Sequence, residues 1–173
     1  AITVDTTEHN IHPRNKLDPG QRLARAALGS VYGKKVAYRN PSFDTLKIQD
    51  DKVILNFKDT GGGFQTRANE KPKGFEIAGK DQAFHWADAR FVGDTIVVAS
   101  AKVRKPVAVR YAWADSPECN IYAKTGLPLG TFRTDKWPLS SARAVAGGAG
   151  LPVRKLSSQP RLKPGEERVL LQE

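Results

Sequence analysis

The sequence contains no methionine and one cysteine among its 173 residues. Because translation begins with methionine, we expect residue 1 to follow an upstream segment, so that the chain is a piece of a longer protein. The single cysteine, Cys119, excludes an internal disulfide, and its polar turn context offers no acid–base partner. We therefore interpret it as a structural thiol rather than a catalytic one.

Long hydrophobic runs are also missing. No apolar stretch approaches the roughly 20 residues that a membrane helix needs, so no membrane partner is expected. Aromatic residues make up only 8% of the chain, but 39% of the residues are hydrophobic, which is enough for a folded core. Most of the sequence is therefore interpreted as globular.

Acidic residues are outnumbered, which leaves a formal charge of +10. The densest basic groups are short, namely Lys34-Lys35 and the set Lys102, Arg104 and Lys105. No arginine-rich arm or nucleic-acid motif accompanies them, so a generally basic surface is favoured and a nucleic-acid partner is not expected. An alternative is that the chain binds polyanions, and salt-dependent retention on heparin or DNA would support it.

The N-terminal part predicts a short strand, a loop and a helix. Ala1-Ile2-Thr3-Val4 is β-branched, and a polar loop follows that ends at His12. Asp18 and Pro19 suit the N-cap and the first helical position, and Gly33 suits the stop. The helix should bury one apolar face against a larger body, with Arg22 and Arg25 on its polar side; that face comprises Leu23, Ala24, Ala27, Leu28 and Val31.

The middle of the chain, residues 36–138, predicts antiparallel strands. Apolar residues alternate in several short runs, and turn signals such as Asp50-Asp51, Thr60-Gly61-Gly62-Gly63 and Gly93-Asp94 separate them. The alternating residues are Val53, Leu55, Phe57; Phe75, Ile77; Ile96, Val98; and Val107, Val109, Tyr111, Trp113. A β-sandwich-like domain fits this pattern, whereas the Gly- and Pro-rich residues 139–173 predict an extended or disordered tail.

His12 carries the chemical interest, because a loop between a strand and a helix is where α/β enzymes place catalytic groups. An imidazole there can take a proton from a serine hydroxyl and return it to a leaving group. Taken alone, a loop histidine is more often a plain surface residue. The serines offer no nucleophile context of the Gly-Asp-Ser type; they include Ser30, Ser42, Ser100, Ser116, Ser140 and Ser141.

The flanking residues resemble the last catalytic block of sialate O-acetylesterases, which are SGNH (GDSL-like) hydrolases. The block in this chain is Asn10-Ile11-His12-Pro13-Arg14-Asn15-Lys16, then Gly20 and Arg22-Leu23-Ala24. The resemblance continues to about residue 138 through Gly74-Phe75-Glu76-Ile77-Ala78-Gly79, Pro106–Trp113, Gly126-Leu127-Pro128 and Phe132–Pro138.

This resemblance implies an α/β plus β architecture. Residues 1–35 would be the last strand and helix of an SGNH-type α/β hydrolase domain, 36–138 an antiparallel β-sandwich-like domain, and 139–173 a tail. The activity implied is hydrolysis of O-acetyl esters on sialic acid or related sugars through a serine acyl-enzyme, with His12 catalytic and the serine in the missing N-terminal part. The resemblance implies no cofactor or metal. It implies a secreted, periplasmic or lysosomal location.

The residue that orients the histidine departs from the family pattern. The usual acid lies three residues before the histidine, where this chain has His9, or two before, where it has Asn10. Asn10 can orient an imidazole without stabilising its charge, and Glu8 or Asp5 are candidate substitutes. The same loop groups, His9 and His12 with Glu8 and Asp5, do not predict a metal site, because a loop fixes no common face.

Two alternatives to an enzyme fragment stay open: the polyanion binder and a non-catalytic, carbohydrate-binding or accessory β-sandwich module. Trp86, Trp113 and Trp137 are candidates for a sugar platform. Of these, Trp113 is expected in the core, because it continues an alternating apolar series, whereas Trp137 is expected nearer the surface.

Overall fold

The computed structural model describes residues 15–114 and 117–138. The chain divides into two units, Ala1–Lys136 and Trp137–Glu173. In the described residues the elements are α1 (Leu17–Ser30), β1 (Ser42–Gln49), β2 (Lys52–Lys58), β3 (Phe64–Thr66), a 3-10 turn (Arg67–Asn69), β4 (Phe75–Ala78), β5 (Phe84–Trp86), β6 (Asp88–Val92), β7 (Thr95–Ala99), β8 (Ala108–Tyr111), β9 (Ile121–Ala123) and β10 (Phe132–Arg133).

Helix α1 begins two residues earlier than predicted. Lys16 holds the N-cap position, and Asp18 lies inside the first turn instead of capping it. The predicted stop is confirmed: Gly33 follows the helix with a φ of 61°, and the Lys34 N–H donates to the Leu28 carbonyl at 2.8 Å. A left-handed residue after the last turn closes the helix in this way, and glycine adopts it at little steric cost.

The two faces of α1 are used in the opposite sense to the prediction. Arg22, predicted on the polar side, is only 7% exposed, whereas Leu23 and Val31 are 60% and 74% exposed. The reason is that the β region presents ionic and carbonyl partners to the helix, so the arginine side turns toward it. The apolar face of the helix is left open in this chain.

The strands form three antiparallel sheets. A four-stranded sheet has the order β1-β2-β7-β6, a second has the order β10-β8-β4-β5, and β3 pairs with β9. The predicted turns lie between successive strands, and Asp50 takes a φ of 54° in the tight β1–β2 connection. The antiparallel prediction is confirmed for the described part of the chain.

One hydrophobic cluster joins the sheets. It takes Leu55 and Ile96 from the first sheet, Phe75 and Val109 from the second and Phe64 from the pair. Burying both inner faces against each other is how two sheets stabilise a sandwich-like domain. The observed architecture of the described residues is thus β-rich with one helix, and the strand predicted for residues 1–4 lies outside them.

One core prediction is wrong. Trp113, expected inside because it extends the run through Val109 and Tyr111, is 39% exposed. Strand β8 ends at Tyr111, and Ala112 has a φ of 49°, which breaks the alternation of faces before Trp113.

Candidate functional site

The candidate catalytic residue His12 and its candidate orienting residues lie outside the described residues, as does His9; the orienting candidates are Asp5, Glu8 and Asn10. Their roles therefore stay predictions. The described chain begins at Asn15, three residues after His12, so the structure shows the helix start that follows this block.

The start of α1 is fixed by a reciprocal pair of hydrogen bonds. The Asn15 side-chain oxygen accepts from the Asp18 backbone N–H at 3.1 Å, and the Asn15 amide nitrogen donates to the Asp18 carboxylate at 2.9 Å. Satisfying a free N–H of the first turn stabilises a helix end. The two residues thus set where the chain leaves the histidine block and becomes helical.

Asp18 also connects the helix with the β region. Its carboxylate oxygen lies 3.8 Å from the Arg22 guanidinium on the next turn of the helix and 3.7 Å from the Arg67 guanidinium. Arg67 opens the 3-10 turn, and its backbone N–H donates to the Asn120 carbonyl at 3.3 Å. One carboxylate therefore holds two cations from two separate parts of the fold.

Two further contacts complete this cluster. Arg25 donates to the Thr125 carbonyl at 3.1 Å, and the Arg67 guanidinium lies 5.4 Å from the centre of the Tyr122 ring. Such a cation–π contact holds the guanidinium plane against the aromatic face. The cluster lines a cavity with a volume of about 120 Å³; the lining residues are Asp18, Gln21, Arg22, Arg25, Arg67, Tyr122, Gly126 and Leu127.

Only part of this arrangement can be recognised in the sequence. Asp18 and Arg22 stand four apart, which is a recognisable helical ion-pair spacing. Arg67 and Tyr122 come from distant segments, and no local pattern links either of them to the helix. Their approach depends on the β3–β9 pairing, which places Thr66 opposite Ile121.

Three other residues weighed in the sequence, Cys119, Ser30 and Ser100, occupy ordinary structural positions, whereas Ser116, Ser140 and Ser141 lie outside the described residues. Cys119 is partly buried and packs against the hydrophobic cluster, in keeping with a structural thiol. Ser30 donates to the Ala26 carbonyl in its own helix, and Ser100 donates to the Trp86 carbonyl at 3.0 Å. Both hydroxyls therefore donate to backbone carbonyls, as structural serines do.

The described residues contain neither a metal-binding cluster nor a membrane-spanning helix. Within residues 15–114 and 117–138, no three His, Cys, Asp or Glu side chains come close enough to share a metal ion. Over the same part of the chain, no helix combines the length and the apolar character that crossing a membrane requires.

The tryptophans differ in exposure. Trp86 on β5 is 69% exposed, and Trp113 is 39% exposed with the Arg133 guanidinium 5.7 Å from its ring centre. Trp86 is paired across the sheet with Glu76, which is in turn paired with Arg110. Residues directly opposite one another share a sheet face, so an open indole lies in a row with an acidic and a basic side chain.

Comparison with known proteins gives one informative result. No family model matches the sequence, and no curated protein matches it. Among solved structures, the chain is similar to a carbohydrate acetylesterase from Xanthomonas citri, with 41% sequence identity and a TM-score of 0.72. The alignment covers 78% of this chain and 31% of that one, so the chain spans less than a third of the acetylesterase. Over the aligned residues the two chains are therefore alike in both sequence and fold.

Proposed function

We propose that this chain is the histidine-bearing part of a carbohydrate O-acetylesterase of the SGNH type. The observation that carries the proposal is the 41% identity, over 78% of the chain, to a carbohydrate acetylesterase. The resemblance of residues 10–24 to the last catalytic block of sialate O-acetylesterases supports it independently.

In this reaction His12 acts as general base and then as general acid. Its imidazole takes the proton of a serine hydroxyl, whose oxygen attacks the acetyl carbonyl carbon. Collapse of the tetrahedral intermediate breaks the ester bond, and the imidazolium protonates the departing sugar oxygen. Water, deprotonated by His12, then releases acetate from the acetyl-enzyme, and the proton returns to the serine.

The contacts at the start of α1 support this role. His12 stands three residues before Asn15 in the sequence, and the Asn15 side chain is tied to Asp18 by two hydrogen bonds. Asp18 is tied to Arg67 of the β region. A catalytic imidazole needs an anchored support of this kind, because small displacements cost large factors in rate.

The exposed apolar face of α1 supports the part of the proposal that assigns the serine to another part of the catalytic domain. Leu17, Leu23 and Val31 are each at least 60% exposed on one short helix. An amphipathic helix is stabilised mainly by burying its apolar face. The rest of an α/β layer would provide that burial, and it would also carry the serine and the oxyanion donors.

Acetate release provides the test. The complete protein that contains this segment is expected to hydrolyse an O-acetylated sugar, and this chain alone is expected to stay at the level of an unfolded-protein control. Hydrolysis by the chain alone that a serine-directed inhibitor abolishes would show that the nucleophile is already present here. Failure of the complete protein on all acetylated sugars would contradict the esterase function itself.

A second candidate is an accessory carbohydrate-binding module, which the exposed Trp86 favours because indole faces stack on pyranose rings. Titration calorimetry with deacetylated oligosaccharides would test it. Trp86→Ala should abolish binding, and Val92→Ala, which removes an exposed apolar side chain on β6, should leave it unchanged. Binding that survives Trp86→Ala would reject the Trp86 platform.

A further inference from the structure

The outer face of the second sheet carries a row of side chains that crosses all four strands. Trp86 on β5 lies opposite Glu76 on β4, which lies opposite Arg110 on β8. Arg110 in turn lies opposite Arg133 on β10. The neighbours of this row along the strands, such as Phe75, belong to the hydrophobic cluster. Because successive side chains of a strand alternate between faces, the row itself faces away from the core.

A second indole stands at the other edge of this face. Trp113 follows the end of β8, and the Arg133 guanidinium lies 5.7 Å from the centre of its ring, so both side chains are on the same face. Trp86 and Trp113 are both exposed. Strands β5 and β10 are the two edges of the sheet, and since neighbouring strands lie about 4.8 Å apart, roughly 14 Å separates these edges.

A shallow cavity lies beside the Trp113 ring. Its volume is about 340 Å³, and its lining residues are Ala112, Trp113, Ala114 and Thr131. One water in the liquid occupies roughly 30 Å³, so the cavity has space for about eleven waters. That space is sufficient for one sugar ring with its hydroxyls. The alanines leave the indole accessible, and the Thr131 hydroxyl can both donate and accept a hydrogen bond.

The charges between the two indoles balance one another. The Asp135 carboxylate lies 2.8 Å from the Arg110 guanidinium and 3.7 Å from that of Arg133. Glu76, opposite Arg110, provides a second carboxylate. Two cations and two anions leave no net charge to attract a polyanion. Hydroxyl groups suit this strip, because guanidinium groups donate hydrogen bonds and carboxylates accept them.

We propose that this face binds a neutral oligosaccharide, with Trp86 and Trp113 stacked on two separate rings of one glycan chain. One side of a pyranose ring presents C–H groups, which pack on the negative face of an indole. Glu76 and Arg110 hydrogen-bond the hydroxyls of the rings between them. A single ring cannot reach from one edge of the sheet to the other, so the ligand has to be a chain. The site retains a glycan without cleaving it, and it does not depend on the proposed catalysis.

The test measures how affinity depends on the length of the glycan. Titration calorimetry of the chain uses four neutral hexasaccharides (cellohexaose, xylohexaose, mannohexaose and maltohexaose) and the monosaccharide of each. At least one hexasaccharide should bind about tenfold or more tightly than its monosaccharide, because a chain held at one indole reaches the second at a high effective concentration. Equal affinity for hexasaccharide and monosaccharide, or no binding of any of the four hexasaccharides, would overturn the proposal.

Variants of the two indoles test whether both take part. Trp86→Ala and Trp113→Ala should each weaken hexasaccharide binding about tenfold through loss of one stacked ring. Trp86→Phe should recover part of the affinity, because it restores an aromatic face. Val92→Ala removes an exposed apolar side chain from the first sheet and should leave the affinity unchanged. Thermal unfolding of each variant shows whether the fold is retained. Unchanged binding in a folded Trp113→Ala protein would reject the second contact and with it the proposal.

A competing occupant is a proline-rich peptide, since such peptides also dock on exposed aromatic side chains. A proline decapeptide is titrated against the same chain. If it binds more tightly than every hexasaccharide and loses affinity in Trp86→Ala, the face is a peptide site and the proposal is wrong. None of these measurements involves hydrolysis, so their failure would leave the acetate-release test of the esterase function unaffected.

Discussion

Arg110 on β8 donates two hydrogen bonds to the Asp135 carboxylate. The Arg110 Nε donates to one carboxylate oxygen at 2.8 Å, and a terminal nitrogen donates to the other at 3.0 Å. The Asp135 side chain is 1% exposed, and the Arg110 guanidinium also lies 3.9 Å from the centre of the Phe84 ring. The hydrogen bond that Arg110 donates to Asp135 raises the pKa of Arg110 above its usual value. This pair joins β8 to the segment that follows β10.

Asp135→Ala should therefore destabilise the fold. Removing one member of a buried ion pair leaves the other without its counter-charge, which costs about 3 kcal/mol. Urea unfolding followed by tryptophan fluorescence measures the loss. Asp88→Ala on exposed β6 is the control and should change the free energy of unfolding by less than about 0.5 kcal/mol. An Asp135→Ala protein as stable as the parent would contradict this account of the pair.

The sequence predicts several of the strands because their information is local. Alternation in Val53 and Leu55, and the turn at Asp50, are sufficient to specify a strand and its end. The side of α1 that becomes buried does not follow from such local information. Leu23 predicts burial, yet Arg22 is the buried neighbour, because Asp18 and the β region provide its partners. Tertiary contacts of this kind are not encoded in any short window of sequence.

The same difference between local and long-range information applies to the candidate site. The proposed histidine block rests on a contiguous motif around His12, which a single sequence displays. The cavity beside α1 needs Arg67 and Tyr122, which approach the helix only after β3 has paired with β9. Contacts between distant segments follow from topology, and a single sequence shows topology only indirectly.

Exposure of the α1 apolar face predicts a contrast between two leucines. Leu23 is 60% exposed and Leu55 is fully buried. In the isolated chain, Leu23→Ala should change the free energy of unfolding by less than about 0.5 kcal/mol, whereas Leu55→Ala should cost about 2–5 kcal/mol through the cavity it leaves. Chemical denaturation of both variants checks this. A loss above 2 kcal/mol for Leu23→Ala would mean that the face is already covered.

The buried phenol of Tyr111 predicts a loss of stability at alkaline pH. Burial is the main cause that raises its pKa well above the ordinary value of 10.0. The folded protein therefore keeps its proton where the unfolded chain releases it. The stabilisation is fully present below about pH 10 and declines as the pH rises above that value, by up to about 1.4 kcal/mol per pH unit.

Tyr111→Phe isolates this effect. The variant should be less stable near pH 7, by about 1 kcal/mol for the lost hydroxyl interactions, but its stability should fall less steeply between pH 10 and pH 11. Urea unfolding of both proteins across this range gives the two slopes. Parallel slopes would show that Tyr111 is not the group responsible.

His12 is the residue on which the proposed catalysis depends. In the complete protein, His12→Ala should lower kcat/KM on an O-acetylated sugar by on the order of 10³-fold or more, because the serine loses its proton acceptor. Folding should be nearly unchanged, since a loop imidazole contributes little to a core. His9→Ala is the matched control and should cost much less. Asn10→Asp should keep or raise the rate, because a carboxylate stabilises the imidazolium. If His12→Ala stays within tenfold of the parent while His9→Ala is inactive, the catalytic role belongs to His9, and the assignment drawn from the family block is wrong.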